Sequence, residues 1–391
     1  MYESIFMNNI FYFKTKTEII SGKKSVQSIV EIIKDRKVMI ITDPFIAKNR
    51  QCRQIENILR KNNIKYKIYT NVESQPSIET VEEALELLKD DFTVDIIIAL
   101  GGGSSIDTAK AVSMRFSEPS KFIPDFVGEM WEFSNSPIPI IAIPTTAGTG
   151  SDMTSVAVIT DKKTNQKLAI KSEQIIPKYT ILDPEMLKGI PSNIAAITGI
   201  DALVHAVESF LSNQSTPITE AISIAAIEII SKNLRKFISD TTRNEIAAEQ
   251  MQIGSTLAGW AFSNAGLGLT HALALPLGVK YHLSHGLACA ICFLPVLKYN
   301  YIASQEKYCK IAEIIEPESI SYSFRERGLH AIKVIKNLME DIGVPYTLES
   351  IGIKLKYEKK LTIDALKLAP VKVNPRNVNQ ESIAKLFMGI K

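Results

Sequence analysis

The sequence contains few cysteines and gives no pattern of paired ones. Its 391 residues include 4 cysteines, too few for a disulfide framework in so long a chain, so a reducing, cytoplasmic location is the default expectation. Cys289 and Cys292 have CxxC spacing, but they lie in an apolar run without a second pair. We therefore interpret both as buried small hydrophobic residues.

Net charge and long hydrophobic runs are also lacking. The formal net charge is +3, which gives no reason to expect nucleic acid as a partner. No segment reaches the roughly 18 consecutive uncharged apolar residues of a membrane span, and the N-terminus has no signal-peptide pattern. We therefore predict neither a nucleic-acid partner nor a membrane partner.

What the first half does contain is an alternation of short apolar runs and helical patterns. Near-continuous apolar runs predict strands that are covered on both faces of a parallel sheet. Ser77 is suited to cap one of the intervening helices. The runs are residues 37–42, 94–100, 138–144 and 179–183, and the helical segments are residues 49–61 and 77–90. The alternation predicts a mostly parallel sheet, which binds ligands at the carboxyl ends of its strands.

After about residue 188 the strand pattern stops and long helical patterns follow. They cover residues 193–212, 217–238, 243–264, 285–301, 304–315, 323–341, 358–368 and 379–389. A chain of 391 residues exceeds one typical hydrophobic core. We therefore predict an α/β N-terminal domain (residues 1–188), an all-α C-terminal domain (residues 189–391) and a cleft between them.

Two strand-end loops in the first half have the composition of a nucleotide site. Gly101-Gly102-Gly103 and Ser104 lead from a strand into a helix, whose N-terminus suits a phosphate group; a plain tight turn is the alternative. The second loop carries Thr145, Thr146 and Thr149. Together the loops resemble opposite walls of a dinucleotide site.

Asp43 follows a third strand and is the candidate that would select the dinucleotide. A carboxylate there can accept hydrogen bonds from an adenosine ribose and repel a ribose phosphate, which favours NAD over NADP. The alternative is that Asp43 is only a turn residue before Pro44.

Four side chains in the second half have the composition of a metal site. Asp201 and His205 are spaced i, i+4 and leave one face of a helix, while His271 and His285 lie in apolar, glycine-rich segments. Three imidazoles with one carboxylate suit iron or zinc better than magnesium or calcium. On spacing alone, a surface Asp–His pair with two unrelated histidines is an equally good interpretation.

A series of long motifs makes the chain resemble the iron-containing (group III) alcohol dehydrogenase family over nearly its whole length. The motifs are GGGSSIDTAK, IPTTAGTGSD, ILDPEML, GIDALVHAVE, AGLGLTHALALPLG, HGLACAICFLPV and VNPRN. The resemblance implies an N-terminal dinucleotide-binding α/β domain with a mostly parallel sheet and an all-α metal-binding domain. It implies a metal held by Asp201, His205, His271 and His285, with Fe²⁺ first and Zn²⁺ second.

The same resemblance implies the cofactor and substrate contacts. Phe262 is similar to an aromatic wall of the family's substrate pocket, and Lys167 to a lysine near the cofactor ribose. The remaining cofactor contacts are Asp43, Gly102, Gly103, Ser104, Thr145, Thr146 and Thr149. The implied reaction is hydride transfer between NAD and a small alcohol or aldehyde whose oxygen is polarised by the metal. A homo-oligomer is also expected, and the segments NNIFYF and TEIISG could pair between subunits or within one.

The sequence departs from the family pattern most clearly at Leu275, and three rival interpretations remain. Relatives commonly have a histidine four residues after the third metal ligand, where this chain has Leu275. The rivals are a zinc-dependent glycerol-dehydrogenase-like enzyme, a cyclising lyase of the dehydroquinate-synthase type, and a nucleotide-binding relative without catalysis. Retention of His205 disfavours the first rival, the absence of a Glu first ligand disfavours the second, and four intact ligands disfavour the third.

Overall fold

The two-part architecture predicted from the sequence is confirmed by a computed structural model, which describes residues 13–88, 94–128, 130–164 and 166–391. Strands occur in the first part of the described chain, and the second part is helical. The strands are β1 (Glu18–Ser21), β2 (Val38–Ile41), β3 (Tyr66–Tyr69), β4 (Ile96–Gly101), β5 (Ile140–Pro144), β6 (Val156–Asp161), β7 (Gln166–Lys171) and β8 (Tyr179–Leu182).

Six of these strands form one parallel sheet in the order β1-β8-β5-β4-β2-β3. All four predicted strands belong to it, and the residues of β2, β4 and β5 are buried throughout. This burial explains their continuous apolar runs, because helices cover both faces of the sheet. The first-half helices are α1 (Ile29–Ile33), α2 (Pro44–Lys48), α3 (Arg50–Lys61), α4 (Ile78–Glu86) and α5 (Gly103–Ser117).

The register of the sheet brings the predicted nucleotide loops together. β4 and β5 are neighbours with Gly101 opposite Pro144, so the loops that follow these strands leave the same edge side by side. β2 is the other neighbour of β4, which places Asp43 beside the glycine loop. The order of β2, β4 and β5 and the positions where they end therefore bring the predicted nucleotide-binding loops together.

The second half is a helical bundle with its own hydrophobic core. Its helices are α6 (Ser192–Leu211), α7 (Pro217–Ser239), α8 (Glu245–Ala265), α9 (Leu269–Tyr281), α10 (His285–Asn300), α11 (Gln305–Ile315), α12 (Phe324–Asp341), α13 (Glu358–Leu366) and α14 (Gln380–Gly389). Among the described residues, α6 and the segment that begins with α10 are long and apolar enough to span a membrane by composition. In these two segments, 83% and 61% of the most apolar stretch is buried inside the protein, as expected of core helices.

Several secondary-structure elements were not predicted from the sequence. α9, which contains Pro276, was not predicted. β6 and β7 form an antiparallel hairpin that was not expected among parallel strands, and β1 and β3 are two further edge strands that were not identified. The segment TEIISG contains β1, which pairs with β8 of the same chain; all of NNIFYF except Phe13 lies outside the described residues.

Candidate metal and nucleotide site

The structure brings together the four side chains predicted as metal ligands. Asp201 and His205 project from α6, His271 from α9 and His285 from the first turn of α10. One donor atom from each residue lies within 4.8 Å of the others. Three histidines and one carboxylate from three different helices thus converge on a single point.

Two atoms in this cluster are suited to bind a cation. Asp201 Oδ1 and His271 Nε2 are buried and have no hydrogen-bond partner. They lie 4.0 Å apart, and Asp201 Oδ1 lies 3.8 Å from His285 Nε2. A buried polar atom without a partner costs free energy, whereas a divalent ion between these donors would satisfy both atoms. The residues therefore fit the expected metal.

Hydrogen bonds on the far side of two imidazoles fix their orientation. Glu208 Oε2 lies 2.7 Å from His271 Nδ1 and accepts the Gly268 N–H at 2.8 Å. Glu208 Oε1 accepts the Thr270 N–H at 2.6 Å. His205 Nδ1 donates to the Gly148 carbonyl oxygen at 3.1 Å, so its Nε2 is free to bind an ion. Glu208 was missed from the sequence, although it follows Asp201 by seven positions on the same helix.

Burial controls the protonation of the cluster. It raises the pKa of Asp201 to about 6, although the proximity of His271 opposes the shift. Burial also holds the pKa of His205 and of His285 well below the usual value, with neighbouring His271 adding to both effects. Burial would lower the pKa of His271 as well, but its bond to Glu208 raises it overall. Two of the imidazoles are therefore neutral and ready to bind a metal.

The glycine loop and the threonine loop pack against each other closely. A Cβ on Gly102 would lie 3.2 Å from Thr146 Oγ1, and one on Gly103 would lie 2.8 Å from Thr149 Cγ2. Gly101 has φ of 152°, which side chains rarely tolerate. The Thr145 N–H donates a hydrogen bond to the Gly101 carbonyl at 3.0 Å, which extends the pairing of β4 with β5 into the loops. Gly102 and Gly103 therefore allow the two loops to touch, and Gly101 allows the backbone conformation of the turn.

The remaining predicted cofactor contacts lie around this pair of loops. Ser104 is in the first turn of α5 and donates its hydroxyl proton to the Ser74 carbonyl at 2.7 Å. Asp43 caps α2, because Oδ1 accepts the Phe45 N–H at 2.9 Å. Its second oxygen is 3.4 Å from where a Cβ of Gly101 would be. Asp43 therefore caps α2 through Oδ1, and its second oxygen faces the glycine loop.

Lys167 and Phe262 approach the metal cluster from opposite halves of the chain. Lys167 is half-buried on β7, and its charge contributes to the lowered pKa of His285. The Phe262 ring centroid on α8 lies 4.6 Å from that of His205. Leu275 follows His271 by one turn on α9 and is half-buried. Both predicted residues therefore border the region between the nucleotide loops and the metal ligands.

A buried lysine behind the threonine loop was missed from the sequence. Lys110 on α5 has no exposed surface, and its Nζ donates to the Ser151 carbonyl at 2.6 Å, to Thr154 Oγ1 at 2.9 Å and to the Val156 carbonyl at 2.8 Å. Burial lowers its pKa to about 8, against the opposing influence of Asp107 and Asp152. The GGGSSIDTAK motif contains Asp107 and Lys110, but their role in supporting the next loop depends on packing that spacing cannot reveal.

The fold and the site together define a class: a nucleotide-binding parallel sheet joined to a helical bundle that carries a four-donor metal cluster. Comparison with known proteins agrees with this class. The family model described as "Iron-containing alcohol dehydrogenase" matches residues 16–184. The model described as "Fe-containing alcohol dehydrogenase family, C-terminal" matches residues 195–390.

Individual relatives match along most of their length. Sulfoacetaldehyde reductase from Bilophila wadsworthia is 34% identical over 349 residues, covering 88% of this chain and 89% of that protein. 1,3-Propanediol dehydrogenase from Citrobacter freundii is 34% identical over 380 residues, covering 97% of this chain and 94% of that protein. A crystal structure of 1,3-propanediol oxidoreductase superposes with a TM-score of 0.93 at 32% identity, covering 98% of this chain and all of that one.

The chain belongs to the iron-containing alcohol dehydrogenase family. It is an oxidoreductase of the alcohol dehydrogenase type, as the motif order predicted.

Proposed function

We propose that this enzyme holds a divalent metal through Asp201, His205, His271 and His285 and interconverts a small alcohol and its aldehyde with NAD. The observation that carries the proposal is the pair of buried, unpartnered donor atoms on Asp201 and His271. When bound, the metal supplies Lewis-acid polarisation of the substrate oxygen and the dinucleotide supplies the hydride acceptor or donor. Fe²⁺ is the first choice for this ligand set and Zn²⁺ the second.

The chain's own residues prepare the metal site before substrate binds. Glu208 accepts a hydrogen bond from His271 Nδ1–H, and the Gly148 carbonyl accepts one from His205 Nδ1–H. Each bond directs Nε2 toward the cluster and fixes the tautomer. The Phe262 ring packs against the His205 imidazole and restricts its movement. These contacts support a rigid site that requires little reorganisation when the metal binds.

For the dinucleotide, we propose that the two loops hold the phosphates and that Asp43 holds the adenosine ribose. Gly102, Gly103 and Ser104 lie at the N-terminus of α5, where free N–H groups favour an anion. The threonines of the facing loop (Thr145, Thr146 and Thr149) supply hydroxyl groups. Lys167 is proposed to contact the ribose nearer the nicotinamide. The carboxylate of Asp43 is the reason for proposing NAD over NADP.

The wider assignments are proposals of the same kind. We propose domains at residues 1–188 and 189–391, supported by the position of residue 188 between the last sheet strand and α6. A cytoplasmic location is supported by four free thiols. A homo-oligomer is supported by β1, an edge strand with a partner on one side only among the described strands. Size-exclusion chromatography with light scattering would test the last point.

The central test is the variant His271→Ala, with His282→Asn as its matched control. His282 is an exposed turn residue with φ of 54°, a conformation that asparagine tolerates. We expect His271→Ala to retain its fold by circular dichroism, to lose bound iron or zinc by mass spectrometry, and to lose alcohol-dependent NAD reduction. His282→Asn should keep both metal and activity. Full activity in a metal-free His271→Ala protein would overturn the proposal.

A further inference from the structure

A small cavity lies where the glycine loop and the threonine loop meet α8. Its volume is about 10 Å³, which is roughly the least space in which one water molecule fits. Residues of both loops line the cavity, and α8 contributes Gln252, Ser255 and Thr256 to its wall. The cavity therefore lies between the proposed cofactor-binding loops and a helix of the second half.

Gln252 brings a buried polar atom without a partner to this cavity. The side chain is 2% exposed, and its Nε2 donates to the Pro144 carbonyl oxygen at 3.2 Å. A carbonyl can only accept, so the amide cannot be turned round without losing this bond. Its other atom, Oε1, is buried and has no hydrogen-bond partner among the described residues. Such an oxygen costs free energy unless a molecule in the cavity donates to it.

The groups around the cavity favour a neutral molecule that forms hydrogen bonds. The Asp152 carboxylate lines the cavity and accepts a hydrogen bond from the Thr256 hydroxyl at 2.9 Å. Burial raises the pKa of Asp152, whereas the Thr256 bond and the positive charge of Lys110 oppose the shift. The carboxylate disfavours an anion here, and the charge of Lys110 disfavours a cation. Water suits the site, because it needs only about two to four polar partners.

The hydrogen bond from Gln252 acts where both loops begin. Pro144 is the last residue of β5 and lies opposite Gly101, the last residue of β4. The glycine loop and the threonine loop leave the sheet at this pair. Gln252 is therefore placed to support both loops from α8, directly through Pro144 and indirectly through a molecule in the cavity.

We propose that the cavity holds one water molecule bound to Gln252 Oε1, and that Gln252 is a positioning residue for the dinucleotide. The amide donor holds the end of β5, and the water extends this support to the two loops. The inference rests on the proposed function, because it presupposes that these loops bind the dinucleotide. Gln252 acts through the loops, so its removal weakens NAD binding and leaves the chemical step unchanged.

The test compares Gln252→Met with Gln250→Met in the metal-loaded enzyme. Methionine is close to glutamine in length but forms neither of the two hydrogen bonds, and Gln250 is a half-buried residue of the same helix. We expect Gln252→Met to raise the Kd and the KM for NAD about three- to tenfold, the worth of one hydrogen bond, with kcat and metal content unchanged. Gln250→Met should match the unaltered protein in all four quantities. Crystal structures should show the water in the unaltered protein and in Gln250→Met, and not in Gln252→Met.

Gln252→Glu separates positioning from a general loss of stability. Its carboxyl group has nearly the size of the amide and can donate to the Pro144 carbonyl only while protonated. Burial favours the protonated form. We therefore expect the Kd for NAD, taken as a ratio to that of the unaltered protein, to be close to one at mildly acid pH and to rise at alkaline pH. Asp152 and Lys110, the charged groups at and near the cavity, are present in every variant and cancel in this ratio.

Three results would count against these expectations, each in a different way. NAD binding that is unchanged in Gln252→Met, or a ratio for Gln252→Glu that does not depend on pH, would overturn the positioning role. If Gln252→Met does not fold, as judged by circular dichroism, Gln252→Glu alone decides that role. A cavity without ordered water in the unaltered protein, at a resolution that shows other buried waters, would overturn the water site. An unaltered protein that binds metal but no NAD would instead refute the proposed function.

Discussion

Asp201 supplies the negative charge of the proposed metal site, and its burial sets how the site responds to pH. The carboxyl must be ionised to bind a metal, but burial raises its pKa to about 6. The pKa of His271 is raised as well through Glu208. His205 and His285 have lowered pKa values, so protons do not compete with the metal for these two imidazoles. Protons therefore compete with the metal at Asp201 and His271.

We predict that metal affinity begins to fall as the pH decreases through the raised pKa of His271, and falls more steeply below about 6, where Asp201 also takes up a proton. Below the raised pKa the folded, metal-free protein holds a proton on Asp201 that the metal must displace, so each further pH unit costs affinity. Equilibrium dialysis against zinc on both sides of this pH would measure the effect. Affinity that stays constant down to the ordinary pKa of an aspartate would show that burial does not control this group.

At Asp43 a single side chain has two tasks that one substitution can separate. Asparagine caps helices as well as aspartate does, so Asp43→Asn should preserve α2 while removing the charge. We predict that this variant accepts NADP markedly better relative to NAD, by about 1 kcal/mol or several-fold in the ratio of kcat/KM values.

A second substitution controls for the cap. Asp43→Ala loses both the charge and the hydrogen bonds to Phe45 and Ile46, so it should also be less stable, by about 1 kcal/mol. An unchanged cofactor ratio in Asp43→Asn would show that Asp43 is a turn residue and no more.

Among the secondary-structure elements, those with a strong local pattern could be predicted and those determined by packing could not. The buried strands and the capped helix after Ser77 follow from apolar runs and one side-chain cap. α9 does not, because its apolar residues show no one-sided helical period and the helix is enclosed by α10 and α13. The hairpin β6–β7 has only weak alternation. The metal ligands could be named from motifs, whereas Glu208 and Lys110 are defined by contacts between elements.

Lys110 connects α5 to the loop after β5, and its removal should affect both stability and cofactor binding. Lys110→Met leaves two carbonyl oxygens and two hydroxyls without their buried donor. Breaking a buried charged network of this kind costs about 3–5 kcal/mol. We predict a loss of that order in urea unfolding and a raised KM for NAD, because the threonine loop loses its support, while the metal content stays unchanged.

Lys162→Met is the matched control for that variant. Lys162 is exposed and pairs with Glu73 on the surface, so its removal should change stability by less than about 1 kcal/mol. If Lys110→Met lost as little stability as Lys162→Met, the structural role of the buried lysine would be contradicted. A large loss with an unchanged KM for NAD would assign Lys110 to folding alone.

At the scale of the whole molecule, the threonine loop lies directly against the helices that carry the metal site. The Gly148 carbonyl accepts the hydrogen bond from His205, and a Cβ on Gly148 would lie 2.7 Å from Thr198 Cβ on α6. Two further glycines meet where this loop crosses α8, since a Cβ on Gly259 would lie 2.7 Å from the Gly150 Cα. Backbone contact between the two halves therefore fixes the threonine loop relative to the four clustered side chains.

We predict that Gly259→Ala impairs hydride transfer without removing the metal. The added methyl group meets backbone on the opposite side, which cannot rotate away, so the loop and α8 must separate by a fraction of an ångström at a cost of about 1–3 kcal/mol. Small misplacement of two reacting groups lowers turnover steeply, by up to about 10²-fold for 1 Å. We expect a reduced kcat with normal metal content, measured by steady-state kinetics and mass spectrometry on the same sample.

Gly389→Ala on α14 separates this geometric effect from the general effect of adding a methyl group to a helix. A Cβ there would meet Pro295 at 3.8 Å, an ordinary contact, so kcat should be unchanged and stability slightly improved. If Gly259→Ala behaved like this control, the contact with Gly150 would not set the cofactor-to-metal distance. If it lost its metal as well, the two halves would be coupled through the ligands themselves, with His205 and its bond to Gly148 as the connection.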